Sequence, residues 1–166
     1  MIIGHGTLKE MFPNFKEDIQ ENGIDLRLGE LHLINKKKSG MIGCIDGEKY
    51  PPTYSIVKPN KDGLYVLRAK NFYFMKVDRP IHIPKGHIQL YELRSTFSRC
   101  GLLLAKAVGD SDFQGTLMLG LYNSGPCDIT IGANERMIQA ITIKTDGTDT
   151  SYKGSYQKDK IYGDGL

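Results

Sequence analysis

Short runs of β-branched and aromatic residues recur along this chain, at 54–57, 64–67, 71–77, 87–93, 116–123, 128–131 and 137–143. Turn-forming residues separate them: Pro59-Asn60, Asp62-Gly63, Pro80, residues 84–86 and Ser124-Gly125-Pro126. Many short strands at this spacing predict an all-β sandwich or barrel rather than a parallel α/β sheet. One helical interruption is expected at 95–103. Upstream, Thr7-Leu8-Lys9-Glu10 has the spacing of a capping box, which predicts a short helix stopped by Pro13.

At 166 residues the chain fits one core, and 40% hydrophobic with 25% charged residues rules out wholesale disorder. The sandwich or barrel is expected over 1–143; residues 144–166, polar but dotted with tyrosines, read as a C-terminal tail with no core of its own. The longest apolar runs, 102–105 and 138–143, fall far short of the roughly 20 residues of a spanning helix. The N-terminus lacks a basic and apolar leader, so a cytoplasmic chain is expected, with no membrane partner. A net charge of +3 gives no polyanion track, and no nucleic-acid partner is expected. Cys44, Cys100 and Cys127 are odd in number and far apart, which predicts reduced, structural thiols rather than disulfides or a thiolate metal cage. His5, His32, His82 and His87 are equally scattered, against zinc hydrolase or zinc deaminase chemistry. The run Lys36-Lys37-Lys38 reads as a solvated turn.

Three clusters can carry chemistry. In 22–29, NGIDLRLG, an extended segment bounded by glycines sets Asp25 and Arg27 two apart on one face, as a structural pair or part of an anion or metal-water site. In 94–99, RSTFSR, hydroxyl and guanidinium donors open a short helix, suited to a phosphate chain or simply to capping. In 109–115, GDSDFQG, a carboxylate sits at a strand end beside Phe113, either as a turn or aimed at a water.

Taken in order, GIDLRLG, RSTFSR, GDSDFQGTLMLGLYNSG and NERMIQAI resemble the first four motifs of the trimeric dUTPase and dCTP deaminase superfamily, over residues 22–143. The segment RSTFSRCGL and the tail SYKGSYQ resemble the deaminase-like branch, whereas DSDFQGTLM is similar to the pyrophosphatases. The resemblance implies a distorted β-barrel or jelly-roll of the dUTPase type, with short helices and a flexible tail that closes over the active site. In the deaminases a glutamate precedes the apolar-aromatic-Asn-Ser-Gly run and shuttles protons; here that position is Gly120. Glycine cannot titrate, so deamination is expected to be absent.

The resemblance therefore implies a homotrimeric dUTP diphosphatase that uses Mg2+ and forms dUMP and pyrophosphate. It assigns Asp110 as the acid that activates water and Gln139 as support for the phosphate and water network. Arg94, Ser95, Thr96 and Arg99 fall to the phosphates, Phe113 to the deoxyribose, and 104–108, with Ala105, to a hairpin that reads uracil largely through backbone groups. Asp25 would order metal-bound water without direct ligation. Lys153, Tyr156 and Gln157 match the closing tail, although Ser155 stands where the deaminase-like branch has lysine. The competing expectations are a dCTP deaminase or bifunctional enzyme with a relocated acid, and a nucleotide-binding relative without turnover.

Overall fold

The computed structural model describes residues 1–34, 41–42, 49–50, 54–147, 150–154 and 156–159. Its strands are β1 (Ile24–Ile34), β2 (Met41–Ile42), β3 (Lys49–Tyr50), β4 (Tyr54–Val57), β5 (Leu64–Leu67), β6 (Phe72–Val77) and β7 (Ile81–His82). They continue as β8 (His87–Leu93), β9 (Leu102–Ala105), β10 (Val108–Gly109), β11 (Gln114–Gly115), β12 (Met118–Asn123), β13 (Ile129–Gly132) and β14 (Arg136–Lys144). The main sheet runs β10-β8-β14-β1-β6-β12-β9, with β4 also on β1; β11–β7, β13–β5 and β2–β3 form separate pairs. Every one of these pairings is antiparallel. The result is an all-β fold built on a curled antiparallel sheet, and the expected strands lie within two residues of their observed bounds.

The long strand β1 curls the sheet. Residues 24–27 pair with β14 and residues 28–33 with β6, and the register slips at Leu26/Arg27 and again at Leu28/Glu30. Such irregularities bend a strand and sharpen its twist. Gly29 makes the second bend feasible, because a Cβ there would lie 2.7 Å from the Asp78 Cα. Sequence reading ended the extended segment at this glycine, but the strand runs through it.

Alternation then fills the interior: Tyr73, Met75 and Val77 of β6, Leu119 and Leu121 of β12, and Ile138 and Ala140 of β14 are all buried. Helix α1 (His5–Met11) and the following 3-10 turn, Pro13–Asp18, add Leu8, Phe12 and Phe15 to that core. The capping box is not formed. Gly4 is the N-cap, without a side-chain bond, and Thr7 lies inside the helix. The cause is long-range: Ile2 bridges Ile143 and Ile3 donates to the Thr142 carbonyl, so the chain leaves the sheet at Gly4 and turns at once.

Helix α2 (Ser95–Arg99) is also shorter than expected. Gly101, at φ 90°, takes the left-handed conformation that ends helices, and residues 102–105 become β9 instead of a further turn. Cys100 and Cys127 are free but exposed, against the expectation of structural thiols: one closes α2, the other follows the turn at Gly125-Pro126. Lys36-Lys37-Lys38, Cys44 and Ser155 lie outside the described residues. No helix among the described residues is long and apolar enough to cross a membrane.

Candidate active site

Strand pairing assembles one polar group from three distant segments. Asp25 of β1 faces Gln139 of β14, and Gln139 faces Glu92 of β8. Gly23 leaves space for the glutamine, since a Cβ there would lie 2.7 Å from Gln139 Cγ. Asp25 is only 1% exposed, and its Oδ2 has no hydrogen-bond partner. Arg94 Nε lies 3.7 Å and Arg136 Nη1 3.8 Å from that oxygen. Burial raises the Asp25 carboxyl above its ordinary value, and the two guanidinium groups only partly offset this.

Arg94 is tied to β14 by two hydrogen bonds. Its N–H donates to the Met137 carbonyl at 2.9 Å and its Nη1 to the Arg136 carbonyl at 3.1 Å. It also forms the N-cap of α2, so exposed Ser95, Thr96 and Arg99 follow directly from it. Arg27 does not pair with Asp25. Its Nε and Nη2 reach Asp18 Oδ1 at 2.8 and 2.7 Å, tying the 3-10 turn to β1. Arg136 takes its place beside Asp25; sequence reading quoted it within NERMIQAI without singling it out, although it is the one cation of an otherwise apolar strand start.

A second group surrounds Asp110, which is exposed at the end of β10. Its carbonyl accepts the Phe113 N–H at 3.1 Å, closing a turn in which Asp112 adopts φ 63°. Phe113 is 8% exposed and meets Tyr152 edge to face, with ring centroids 5.7 Å apart. The tail is tied to this turn by further bonds. The Gln114 N–H donates to Gln157 Oε1 at 2.8 Å, Gln157 Nε2 donates to the Asp112 carbonyl at 2.9 Å, and the Thr116 N–H donates to Asp159 Oδ1 at 2.7 Å. Hydrogen bonds from His82 and Ser151 hold the Asp112 carboxyl below its ordinary value. Lys153 and Tyr156 are exposed. Asp159 was not singled out from sequence, and Tyr152 was read only as one of the tail tyrosines, because an aromatic or an acid in a polar segment carries no local signal of what it docks on.

The two groups are apart. Gly109 pairs with Gln89 and Gln139 with Glu92, three residues farther along β8, or roughly 10 Å at the rise of a strand. Ala105 lies at a third place, opposite Gly120 in the β9–β12 ladder. The segment 104–108 is no ladder hairpin: β9 pairs with β12 and β10 with β8, so it crosses between sheet edges. Among the described residues no group of three His, Cys, Asp or Glu side chains converges as a metal cage. Asp25 Oδ2 has two guanidinium neighbours but no hydrogen-bond partner, which suits a metal-bound water, in keeping with the reluctance of Mg2+ to dehydrate.

Comparisons with known proteins place the chain in a family. The dCTP deaminase-like family profile matches residues 4–144. The probable deoxyuridine 5'-triphosphate nucleotidohydrolase of Methanothermobacter thermautotrophicus is 38% identical over 158 residues, covering 95% of this chain and all of that protein. The dCTP deaminase of Pyrobaculum calidifontis is 27% identical over 165 residues, covering 95% of this chain and 92% of the other. Among solved structures, a 2'-deoxycytidine 5'-triphosphate deaminase from Agrobacterium tumefaciens shares the fold, with a TM-score of 0.65 at 17% identity over 85% of this chain and 47% of its own. With a family match spanning most of its length and a relative aligned along nearly all of it, the chain belongs to the dCTP deaminase-like family.

Proposed function

We propose that this chain is a dUTP diphosphatase, hydrolysing dUTP to dUMP and pyrophosphate without deaminase activity. The observation that carries the reading is the packing at Gly120, the position of the deaminase glutamate by resemblance. A Cβ there would lie 2.5 Å from Phe72 Cζ and 2.9 Å from Ala105 Cβ, so no side chain fits in the present packing. The 38% identity to a probable dUTP nucleotidohydrolase points the same way.

Asp110, exposed at its strand end, holds the attacking water and takes its proton as oxygen bonds to the α-phosphorus and the bond to pyrophosphate breaks. Arg94, Ser95, Thr96 and Arg99 bind phosphate oxygens, with guanidinium charge and hydroxyl donors at the start of α2. Gln139 keeps the adjoining water and phosphate network in place. Phe113 packs on the deoxyribose and excludes a 2′-hydroxyl by shape and desolvation. Backbone groups around Ala105 read the uracil, and Lys153, Tyr156 and Gln157 belong to the segment that closes the site. Mg2+, when bound, neutralises triphosphate charge, and Asp25 would hold it through water.

The separation between the Asp25–Arg94–Gln139 group and the Asp110–Phe113 group supports a homotrimer with sites at subunit boundaries. The decisive assay supplies purified protein and Mg2+ with dUTP, dCTP, dTTP and UTP, following pyrophosphate and ammonia separately. Pyrophosphate from dUTP and no ammonia from dCTP is the expected result. Ammonia from dCTP would install the deaminase reading instead, and dUTP binding without turnover would leave a nucleotide-binding relative.

A further inference from the structure

A buried tyrosine unused by the proposed chemistry lies against the strand that delivers Asp110. Tyr91 is 1% exposed, and its hydroxyl donates to Gln89 Oε1 at 3.3 Å; Gln89 Nε2 in turn donates to Thr142 Oγ1 at 3.1 Å. Gln89 and Thr142 are wholly buried. Three buried polar side chains in a row carry a desolvation cost that apolar residues would avoid, so the row needs a reason beyond filling space. Gly109 supplies one. It pairs with Gln89, and a Cβ on it would overlap both the Tyr91 hydroxyl and Ile83 Cδ1. The backbone of β10 therefore rests directly on that hydroxyl, one residue before Asp110. Burial, and after it the Asp110 charge, raises the phenol above its ordinary value and keeps it neutral.

We propose that Tyr91 is a positioning residue for the hydrolytic reaction: braced by Gln89 and Thr142, its hydroxyl seats the Gly109 backbone and thereby fixes where the Asp110 carboxylate stands. The proposal rests on the reading of Asp110 as the base. Removing the hydroxyl leaves a gap into which β10 relaxes, and adding a methyl at Gly109 lifts the strand away. Both displace the base without touching the groups that bind the triphosphate, so both act on kcat rather than KM.

The test measures kcat and KM for pyrophosphate release from dUTP with Mg2+ in the wild type, Asp110→Asn, Tyr91→Phe and Gly109→Ala, with the folded fraction of each taken from circular dichroism. Tyr91→Phe is expected to lower kcat about tenfold, since a shift on the order of 1 Å in a catalytic group has effects of that size or larger. Its KM is expected to stay within about twofold of the wild type. Gly109→Ala is expected to show the same split, more severely; if it fails to fold, Tyr91→Phe carries the test alone. A Tyr91→Phe protein whose kcat is unchanged, or falls only with its folded fraction, overturns the proposal and leaves Tyr91 a core residue. A wild type inactive on dUTP, or a fully active Asp110→Asn, overturns the underlying reading of Asp110 and the proposal with it.

Discussion

The ring of Phe72 fills the space into which any side chain at Gly120 would project. A Cβ on Gly120 would lie 2.5 Å from Phe72 Cζ, and the ring cannot readily swing aside, because it meets Phe74 edge to face at 5.2 Å, which in turn meets Tyr54 at 4.9 Å. The pair accounts for the residue type at position 120 by packing alone. Gly120→Ala is expected to cost about 1–3 kcal/mol of stability, as overpacking of a filled site does. In a Phe72→Leu background, which lacks the ring edge, the same substitution should cost clearly less; equal costs by denaturant unfolding in both backgrounds would remove the steric coupling.

Asp110→Asn keeps the shape of the side chain and loses the proton acceptor. Turnover of dUTP is expected to fall about 10²- to 10⁴-fold while nucleotide binding, followed by calorimetry, stays near that of the wild type. Near-native turnover would take Asp110 out of the mechanism.

Asp25 should make itself felt in the pH dependence of stability. Burial raises its pKa in the folded chain above the ordinary value of 3.8, so in the window above that value the unfolded chain releases the proton first. Stability then falls as pH rises from 3.8 through the raised folded value, and the carboxylate remains a cost at neutral pH. Asp25→Asn should flatten that slope and leave the protein at least as stable at pH 7, even if it loses activity. Urea unfolding from pH 4 to 7 reads this directly, and parallel profiles for the two proteins would count against it.

The tail contacts predict what truncation does. Deleting residues 151–166 removes the Tyr152 ring from Phe113 and the Gln157 and Asp159 acceptors from the Gln114 and Thr116 N–H groups, but no core strand. The barrel should stay folded, with about 0.5–1.5 kcal/mol lost from the aromatic pair. Turnover should drop about tenfold or more, for want of closure. Unchanged kinetics would make the tail a frayed end.

How much of this was legible in the sequence varied with how local its cause is. The runs of β-branched and aromatic residues placed β4, β5 and β8 at their observed ends, because residue type and turn residues are local properties. The start of α1 was not legible, since it depends on Ile2 meeting Ile143 across the whole chain. Residues 102 and 103 read as the end of a helix, whereas the left-handed Gly101 ends that helix and they open a strand. At the candidate site the motif order names segments but not neighbours. That Asp25 stands beside Arg136 rather than Arg27 follows from the register slip at Leu26/Arg27 and from the pull of Asp18, neither of which leaves a mark in NGIDLRLG.

The separation of the two polar groups leads to a test by complementation. If a working site combines Arg94 and Gln139 of one copy with Asp110 and Phe113 of a neighbour, two individually inactive variants can repair each other. Asp110→Asn chains still carry a sound Arg94, and Arg94→Ala chains still carry a sound Asp110. In trimers assembled from an equal mixture, each shared site draws its two halves from different copies, and about one quarter of the sites receive both sound halves. Mixed, refolded protein should therefore regain roughly a quarter of wild-type turnover, while each variant alone stays near zero. A site built within one chain contains a defect in every copy, whatever the mixture. Mixed trimers verified by mass and still as inactive as either parent would place the whole site on a single subunit.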